Sequence, residues 1–136
     1  MIIPARQSDI KLLLPEMQVK VNALLSAAKL AGLNIQVFET LRTRERQAFL
    51  FGKGRTPQQC KDAGLKLYDQ WSQPNDKIVT STMNSQHLVA KAADLVFIDN
   101  KGNPTWVGDW QKVIALAKQC GLTSLYPYES SHVQIN

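Results

Sequence analysis

Hydrophobic residues recur at helical spacing in two parts of the chain. In the first part the apolar positions form one face of a helix: Met17, Val21, Leu24, Leu25 and Ala28. Pro15 suits the first turn and Gly32 suits the end, so the pattern predicts a helix over about residues 15–31, with a shorter helical turn before it. The same spacing returns near the C-terminus, at Trp110, Val113, Ile114 and Ala117. Gly121 is expected to end that later helix.

Three segments have the patterns of β-strands. Residues 34–40 alternate and include β-branched residues, residues 94–98 read as a buried strand, and residues 131–135 alternate again. A turn sequence follows the second strand over residues 99–104. Because the sequence contains no repeats, linkers or low-complexity segments, it predicts a single α+β domain covering residues 1–136.

Local capping signals predict two short helices between the first and second strands. Thr43 can cap one helix, which is expected to end near Gly52. The sequence Thr56-Pro57-Gln58-Gln59 is a capping-box pattern with proline at the first helical position, and it predicts a helix that stops at Gly64. Residues 68–84 are polar and predict irregular structure.

The composition is that of an ordinary globular protein, with 44% hydrophobic and 20% charged residues. No apolar run approaches the ~20 residues that a membrane span requires. The N-terminus lacks the pattern of a secretory signal, so we expect a protein made in the cytoplasm that does not insert into membranes. In that reducing compartment free thiols are favoured over a disulfide for Cys60 and Cys120.

The net charge of +5 favours an anionic partner. Nucleic acid and anionic cell-wall polymer fit this charge equally well, and charge alone does not choose between them. The basic residues are dispersed, and the dense run Arg42-Thr43-Arg44-Glu45-Arg46 contains a glutamate. No nucleic-acid-binding motif accompanies that run, so we expect no nucleic-acid partner.

The chain contains only two histidines, and both stand near strands and carboxylates. His87 precedes the second strand, which opens with Asp94, and His132 lies in the last strand. Neighbouring strands could hold the aspartate and the second histidine rigidly, and Glu129, three residues before His132, is expected on a turn that could aim it at the same point. A catalytic zinc site uses such ligands and needs a carboxylate that does not ligate the metal. Spacing alone also fits ordinary core, cap and surface roles for these residues.

Three ordered motifs resemble the zinc D-alanyl-D-alanine carboxypeptidase and L-alanyl-D-glutamate endopeptidase family. Residues 85–96, SQHLVAKAADLV, are similar to the family motif Ser-x-His-x-x-Gly-x-Ala-x-Asp-Leu. Glu129-Ser130-Ser131-His132 is similar to its second motif, an acidic residue three before a histidine, and residues 42–47 are similar to its Arg-Ser/Thr-x-x-x-Gln element. The resemblance covers about residues 35–135. It implies a hedgehog/DD-peptidase-like α+β fold, a small antiparallel sheet that carries one zinc site with helices packed around it.

The resemblance also implies roles for individual residues. One Zn²⁺ ion would be held by His87, Asp94 and His132, and Glu129 would be the catalytic carboxylate. Arg42 would bind the substrate or stabilise the oxyanion of the tetrahedral intermediate; its alternative role is a surface salt bridge to Glu39 or Glu45. Ser85 would form a hydrogen bond with the substrate, or would cap a loop.

Three positions depart from the family pattern. Ala90 replaces the usual glycine, which would strain the backbone if that position requires a positive φ. Glu129 stands where many endolysin-like members have aspartate, and carboxypeptidase-like members have glutamate. Gln134 occupies a position that is often acidic or aromatic.

The resemblance implies a monomeric bacteriophage endolysin that cleaves stem peptides of peptidoglycan, most specifically at the L-alanyl-D-glutamate bond. It would be made in the bacterial host cytoplasm without a signal peptide and would act on the cell wall after release, with no separate cell-wall-binding domain. The alternatives are a D-Ala-D-Ala carboxypeptidase or dipeptidase, and a non-catalytic zinc-bearing module that binds the cell wall.

Overall fold

An antiparallel sheet of five strands forms the centre of the protein, in a computed structural model that describes residues 3–136. The strands are β1 (Ile35–Glu39), β2 (Ala92–Ile98), β3 (Pro104–Thr105), β4 (Thr123–Leu125) and β5 (Glu129–Gln134). Their order is β1-β2-β5-β4, and β3 pairs with the last residues of β2. The structure therefore confirms the predicted small α+β fold.

Five α-helices surround the sheet. They are α1 (Pro15–Leu30), α2 (Arg44–Phe51), α3 (Pro57–Asp62), α4 (Tyr68–Trp71) and α5 (Trp110–Gln119). Single 3-10 turns lie at Ile10–Leu12 and Gln86–Val89. No helix within residues 3–136 is both long and apolar enough to cross a membrane.

The main hydrophobic core lies between the sheet and helices α1 and α5. It buries the predicted apolar face of α1 and the inward residues of β2, β5 and α5, among them Met17, Leu24, Leu95, Val113 and Val133. Helices α2, α3 and α4 enclose a second, smaller core around Phe49, Phe51, Cys60, Leu65 and Trp71. Both cysteines are free thiols, as the sequence predicts.

Most predicted elements are confirmed, and the differences lie in short segments. The capping box at Thr56 and Gln59 forms as expected. Strand β2 begins two residues before Asp94, and β5 begins at Glu129, which is therefore a strand residue and not part of a turn. The prediction of irregular structure for residues 68–84 is wrong at α4, where burial of Trp71 stabilises a single helical turn. No pattern in the sequence predicts β3 or β4, because these strands are too short to show an alternation of apolar and polar residues.

Candidate metal centre

The sheet brings the three predicted metal ligands together. Asp94 on β2 and His132 on β5 are directly paired across adjacent antiparallel strands, so their side chains share one face. His87 reaches the same point from the 3-10 turn that precedes β2. One ligand atom from each residue lies within 4.8 Å of the other two. Both histidines are buried, and the aspartate is half-buried.

Hydrogen bonds on the outer side of each imidazole fix its tautomer. The Nδ1–H of His87 donates to the backbone carbonyl of Thr40 at 2.7 Å. The Nε2–H of His132 donates to Oε1 of Gln134 at 2.8 Å. Each neutral ring therefore presents its other nitrogen, with a free lone pair, to Asp94. This outer support is typical of histidines that bind metal ions.

The cluster fits a metal ion because its inner atoms are all hydrogen-bond acceptors. Oδ1 of Asp94 lies 3.2 Å from Nε2 of His87 and 3.3 Å from Nδ1 of His132. Nε2 of His87 is buried and has no hydrogen-bond partner among residues 3–136. Such a group of lone pairs needs a cation between them, and two imidazoles with one carboxylate are suitable ligands for Zn²⁺.

In the metal-free protein these groups shift each other's proton affinity. Burial acts to raise the pKa of Asp94, but the adjacent His132 and His87 rings and the charge of Arg42 outweigh burial and hold that pKa well below its ordinary value. Burial acts to lower the pKa of His132, but the adjoining Asp94 carboxylate outweighs burial and raises it above 6.5. A metal ion would thus replace a proton on His132.

Glu129 lies at the edge of the cluster. Its Oε2 is 3.6 Å from Nδ1 of His132, the nitrogen that faces Asp94. The Glu129 side chain is 37% exposed, so water reaches it, whereas the three candidate ligands are more deeply enclosed. The carboxylate is therefore placed to exchange a proton with a water molecule beside the cluster.

Arg42 contacts the cluster through Asp94. Its Nη2 donates to Oδ2 of Asp94 at 2.9 Å and to Oε1 of Glu39 at 3.1 Å, and its Nη1 donates to Gln47 at 3.1 Å. The Arg42 side chain is only 10% exposed. The salt bridge to Glu39 that the sequence offers as the alternative role of Arg42 is therefore present, but it is buried and not at the surface.

Ser85 caps the turn that carries His87. Its Oγ accepts a hydrogen bond from the backbone N–H of His87 at 3.2 Å, which is the loop-cap role. The residue also lines the cavity beside the cluster, so its hydroxyl hydrogen remains available to a molecule bound there.

Ala90 adopts the left-handed conformation that the usual glycine would favour, with φ 60° and ψ 27°. This residue reverses the chain after the turn at Gln86–Val89, so that β2 can begin at Ala92. The position does require a positive φ, and the alanine is strained by about 1–2 kcal/mol.

A cavity of about 590 Å³ opens beside the cluster. Its apolar lining includes Phe38, Trp106 and Leu125, and the two aromatic rings meet edge to face with centroids 4.9 Å apart. Its polar lining comes from the segment around Thr80 to Ser85. Arg46 and Lys53 add positive charge at the wall. A cavity of this size, with mixed apolar and polar walls, has the dimensions of a small-molecule ligand site.

Several residues that hold the cluster in place were assigned no supporting role from the sequence. Glu39, Thr40 and Gln47 are buried polar residues that contact Arg42 or His87. The available signal was a run of polar residues, Glu39 and Thr40, directly after the apolar part of β1. Gln134 departs from the family pattern, and the structure shows that its side-chain amide forms a hydrogen bond with His132.

Comparison with known proteins identifies the fold. No family model and no curated protein sequence matches this chain. The L-Ala D-Glu endopeptidase ChiX of Serratia marcescens is similar over 93% of this chain and 83% of its own, with a TM-score of 0.57 and 17% identity. The LD-carboxypeptidase LdcB, whose structure concerns peptidoglycan recognition, is similar over 90% of this chain, with a TM-score of 0.62 and 18% identity. This chain spans 58% of the LdcB chain.

These similarities define the class of fold, which is that of peptidoglycan peptidases. In this fold the described residues place a His-Asp-His group that could hold a metal ion beside a half-exposed glutamate.

Proposed function

We propose that this protein is a zinc peptidase that cleaves stem peptides of peptidoglycan, most specifically the L-alanyl-D-glutamate bond. The observation that carries the proposal is the arrangement of His87, Asp94 and His132 with Glu129 beside the cavity. The shared fold with ChiX, an L-Ala D-Glu endopeptidase, supports the same chemistry.

The proposed mechanism assigns separate roles to the ligands and the base. His87, Asp94 and His132 would hold one Zn²⁺ ion, which when bound lowers the pKa of a water molecule and polarises the scissile carbonyl. Glu129 accepts a proton from the attacking water and returns it to the departing amine. Its partial exposure suits this exchange, because a carboxylate must be reached by both water and substrate.

The cavity lining supports a peptide substrate. Hydroxyl and amide groups from residues 80–85, including Ser85, can bind peptide N–H and carbonyl groups. Arg46 and Lys53 can attract the carboxylates that stem peptides carry. Trp106, which is 52% exposed, offers an apolar surface for small side chains such as alanine.

We further propose that the protein acts as a monomeric bacteriophage endolysin, made in the host cytoplasm and acting on the cell wall after release. The net charge of +5 supports an anionic polymer as partner, and residues 3–136 bring the three candidate ligands together. The proposal includes no nucleic-acid partner.

The test is mass spectrometry of purified peptidoglycan after digestion with zinc-loaded protein, with a chelated sample in parallel. Chelator-sensitive release of stem peptides that lack their first L-alanine is the expected result. Glu129→Gln serves as the matched control, since it should retain zinc and lose activity by about a hundredfold or more. Absence of products from the zinc-loaded protein, with the metal bound, would contradict the proposal and favour a non-catalytic zinc-bearing module.

A second candidate function is removal of a terminal D-alanine. Its support is the similarity to the LD-carboxypeptidase LdcB. The same digest separates the two functions, because loss of one terminal alanine gives a different mass from release of the stem after L-alanine.

A further inference from the structure

The two oxygens of Asp94 face different partners. Oδ1 lies among the inner nitrogens of the cluster, 3.2 Å from His87 and 3.3 Å from His132. Oδ2 accepts a charge-assisted hydrogen bond from Nη2 of Arg42 at 2.9 Å. The arginine thus engages the oxygen that does not face the cluster.

Arg42 is itself held on several sides. Its Nη2 also donates to Glu39, and its Nη1 donates to Oε1 of Gln47, whose amide donates in turn to the carbonyl of Thr82 at 2.7 Å. Nε of Arg42 is buried and finds no hydrogen-bond partner within the part of the chain that the structure describes. The guanidinium is fixed by protein groups, and turning it toward a substrate would break buried ion pairs.

Glu39 anchors this arrangement. The side chain is 2% exposed, and its two oxygens bind different arginines: Oε1 binds Arg42 at 3.1 Å, and Oε2 binds Nε of Arg46 at 3.0 Å. Glu39 on β1 is the register partner of Asp94 on β2. Two buried or nearly buried carboxylates therefore alternate with two arginines, in the order Arg46, Glu39, Arg42, Asp94.

We infer that Arg42 and Glu39 are positioning residues for the metal centre. They hold Asp94 so that only Oδ1 faces the two candidate histidine ligands. This inference rests on the proposed metal site. One carboxylate oxygen and two imidazole nitrogens leave a position open for water, whereas release of Oδ2 would let the carboxylate turn and occupy it.

The expected effect is on metal binding, before any substrate is present. Loss of an outer partner of a metal ligand typically weakens metal affinity about 10–100-fold. If Arg42 served the substrate alone, its replacement would leave metal affinity unchanged and would raise KM or lower kcat.

The experiment compares Co²⁺ binding by the wild-type protein, Arg42→Lys and Glu39→Gln. Visible absorption of bound Co²⁺ reports coordination, since four-coordinate cobalt absorbs more intensely than higher-coordinate cobalt. Competition with a chelating dye gives the affinity. Glu16→Gln is the matched control, because Glu16 forms an exposed ion pair with Lys20 on α1, away from the cluster.

Arg42→Lys retains the positive charge but lacks the planar guanidinium that binds both carboxylates. If Glu39→Gln fails to fold, Arg42→Lys still tests the inference. We expect Arg42→Lys, and Glu39→Gln where it folds, to bind Co²⁺ about tenfold or more weakly, with less intense absorption, while Glu16→Gln matches the wild type.

Two results would overturn the inference. Wild-type affinity and spectrum in Arg42→Lys, with a raised KM for stem peptide, would make Arg42 a substrate-binding residue and leave the proposed function intact. A wild-type protein that binds neither Co²⁺ nor Zn²⁺ would instead remove the metal site, and with it both the proposed function and this inference.

Discussion

At the scale of single residues, the candidate metal centre depends on groups one hydrogen bond away from the ligands. Gln134 accepts a hydrogen bond from the Nε2–H of His132, so the Nδ1 lone pair of the neutral ring is directed toward Asp94. Thr40 does the same for His87 through a backbone carbonyl, which no substitution of a side chain removes. Gln134 is therefore the support that mutation can test.

Gln134→Leu should weaken Zn²⁺ affinity about 10–100-fold, because His132 loses the acceptor that fixes its tautomer. Competition with a chelating dye measures the effect. Gln111→Leu is a suitable control, since Gln111 bonds only the exposed hydroxyl of Tyr126. Equal affinities in the two variants would show that Gln134 does not support the site.

The raised pKa of His132 predicts an unusual pH dependence for the metal-free protein. Because the folded pKa lies above the ordinary 6.5, the folded state binds this proton more tightly than the unfolded chain does. That stabilisation is complete below a pH of about 6.5 and is lost as the pH rises through the folded pKa. Stability of the chelated protein should therefore fall from mildly acidic to alkaline pH.

Urea unfolding across this pH range, with chelator present, measures the slope, and His132→Asn should flatten it. The zinc-loaded protein should show the opposite trend, since the metal competes with the proton and binds more tightly as the pH rises. Parallel slopes in the wild type and His132→Asn would contradict the assignment of this proton.

At the scale of elements, the turn at Gln86–Val89 connects His87 to β2 through a strained residue. Ala90 holds φ at 60°, and its carbonyl accepts a hydrogen bond from the N–H of Leu14, so tertiary contacts keep the conformation. The strained residue lies in the short connection between His87 and β2, the strand that carries Asp94.

Ala90→Gly should stabilise the protein by about 1 kcal/mol, because glycine adopts this conformation without the contact between Cβ and the backbone. Ala63→Gly is the matched control, since Ala63 ends α3 with an ordinary φ of −81° and is exposed. That control should destabilise by about 0.4–1 kcal/mol. Urea unfolding of both variants measures the change in the free energy of unfolding. A destabilising effect of Ala90→Gly would contradict the conclusion that Ala90 is strained.

Helices that repeat an apolar pattern over several turns, or that begin with a capping motif, were predictable from the sequence. Very short strands and contacts between residues far apart in the chain were not. Helix α1 has four turns of apolar spacing, and the box at Thr56 is purely local. Strand β4 has three residues, and it exists because β5 pairs with it. The contact between Arg42 and Asp94 joins residues 52 positions apart, and no local pattern encodes such a partner.

At the scale of the whole molecule, the candidate centre joins parts of the chain that are far apart in sequence. Its ligands come from β2, β5 and the turn before β2, and its support comes from β1 through Glu39 and Thr40. The grouping of His87, Asp94 and His132 was predictable because both histidines lie in the motifs that resemble the peptidase family. The supporting residues Glu39 and Thr40 were not predictable, because they come close to the cluster only when β1 pairs with β2.

The net charge of +5 leads to a prediction about the polymeric substrate. Peptidoglycan sacculi from an anionic wall concentrate many charges near the protein, whereas a soluble stem peptide carries few. Raising the ionic strength shortens the Debye length from about 10 Å at 0.1 M to about 3 Å at 1 M. Digestion of sacculi should therefore slow severalfold over this range, while kcat/KM for a soluble stem peptide changes much less.

Parallel measurements on sacculi and on the soluble peptide, over the same salt series, separate attraction to the wall from chemistry at the site. A variant with two exposed lysines on the α3 side replaced by glutamine, Lys61→Gln and Lys66→Gln, should lower the salt dependence on sacculi and leave the soluble peptide unaffected. An identical salt response for the two substrates would mean that the positive charge acts only within the cavity, through Arg46 and Lys53, and not across the molecular surface.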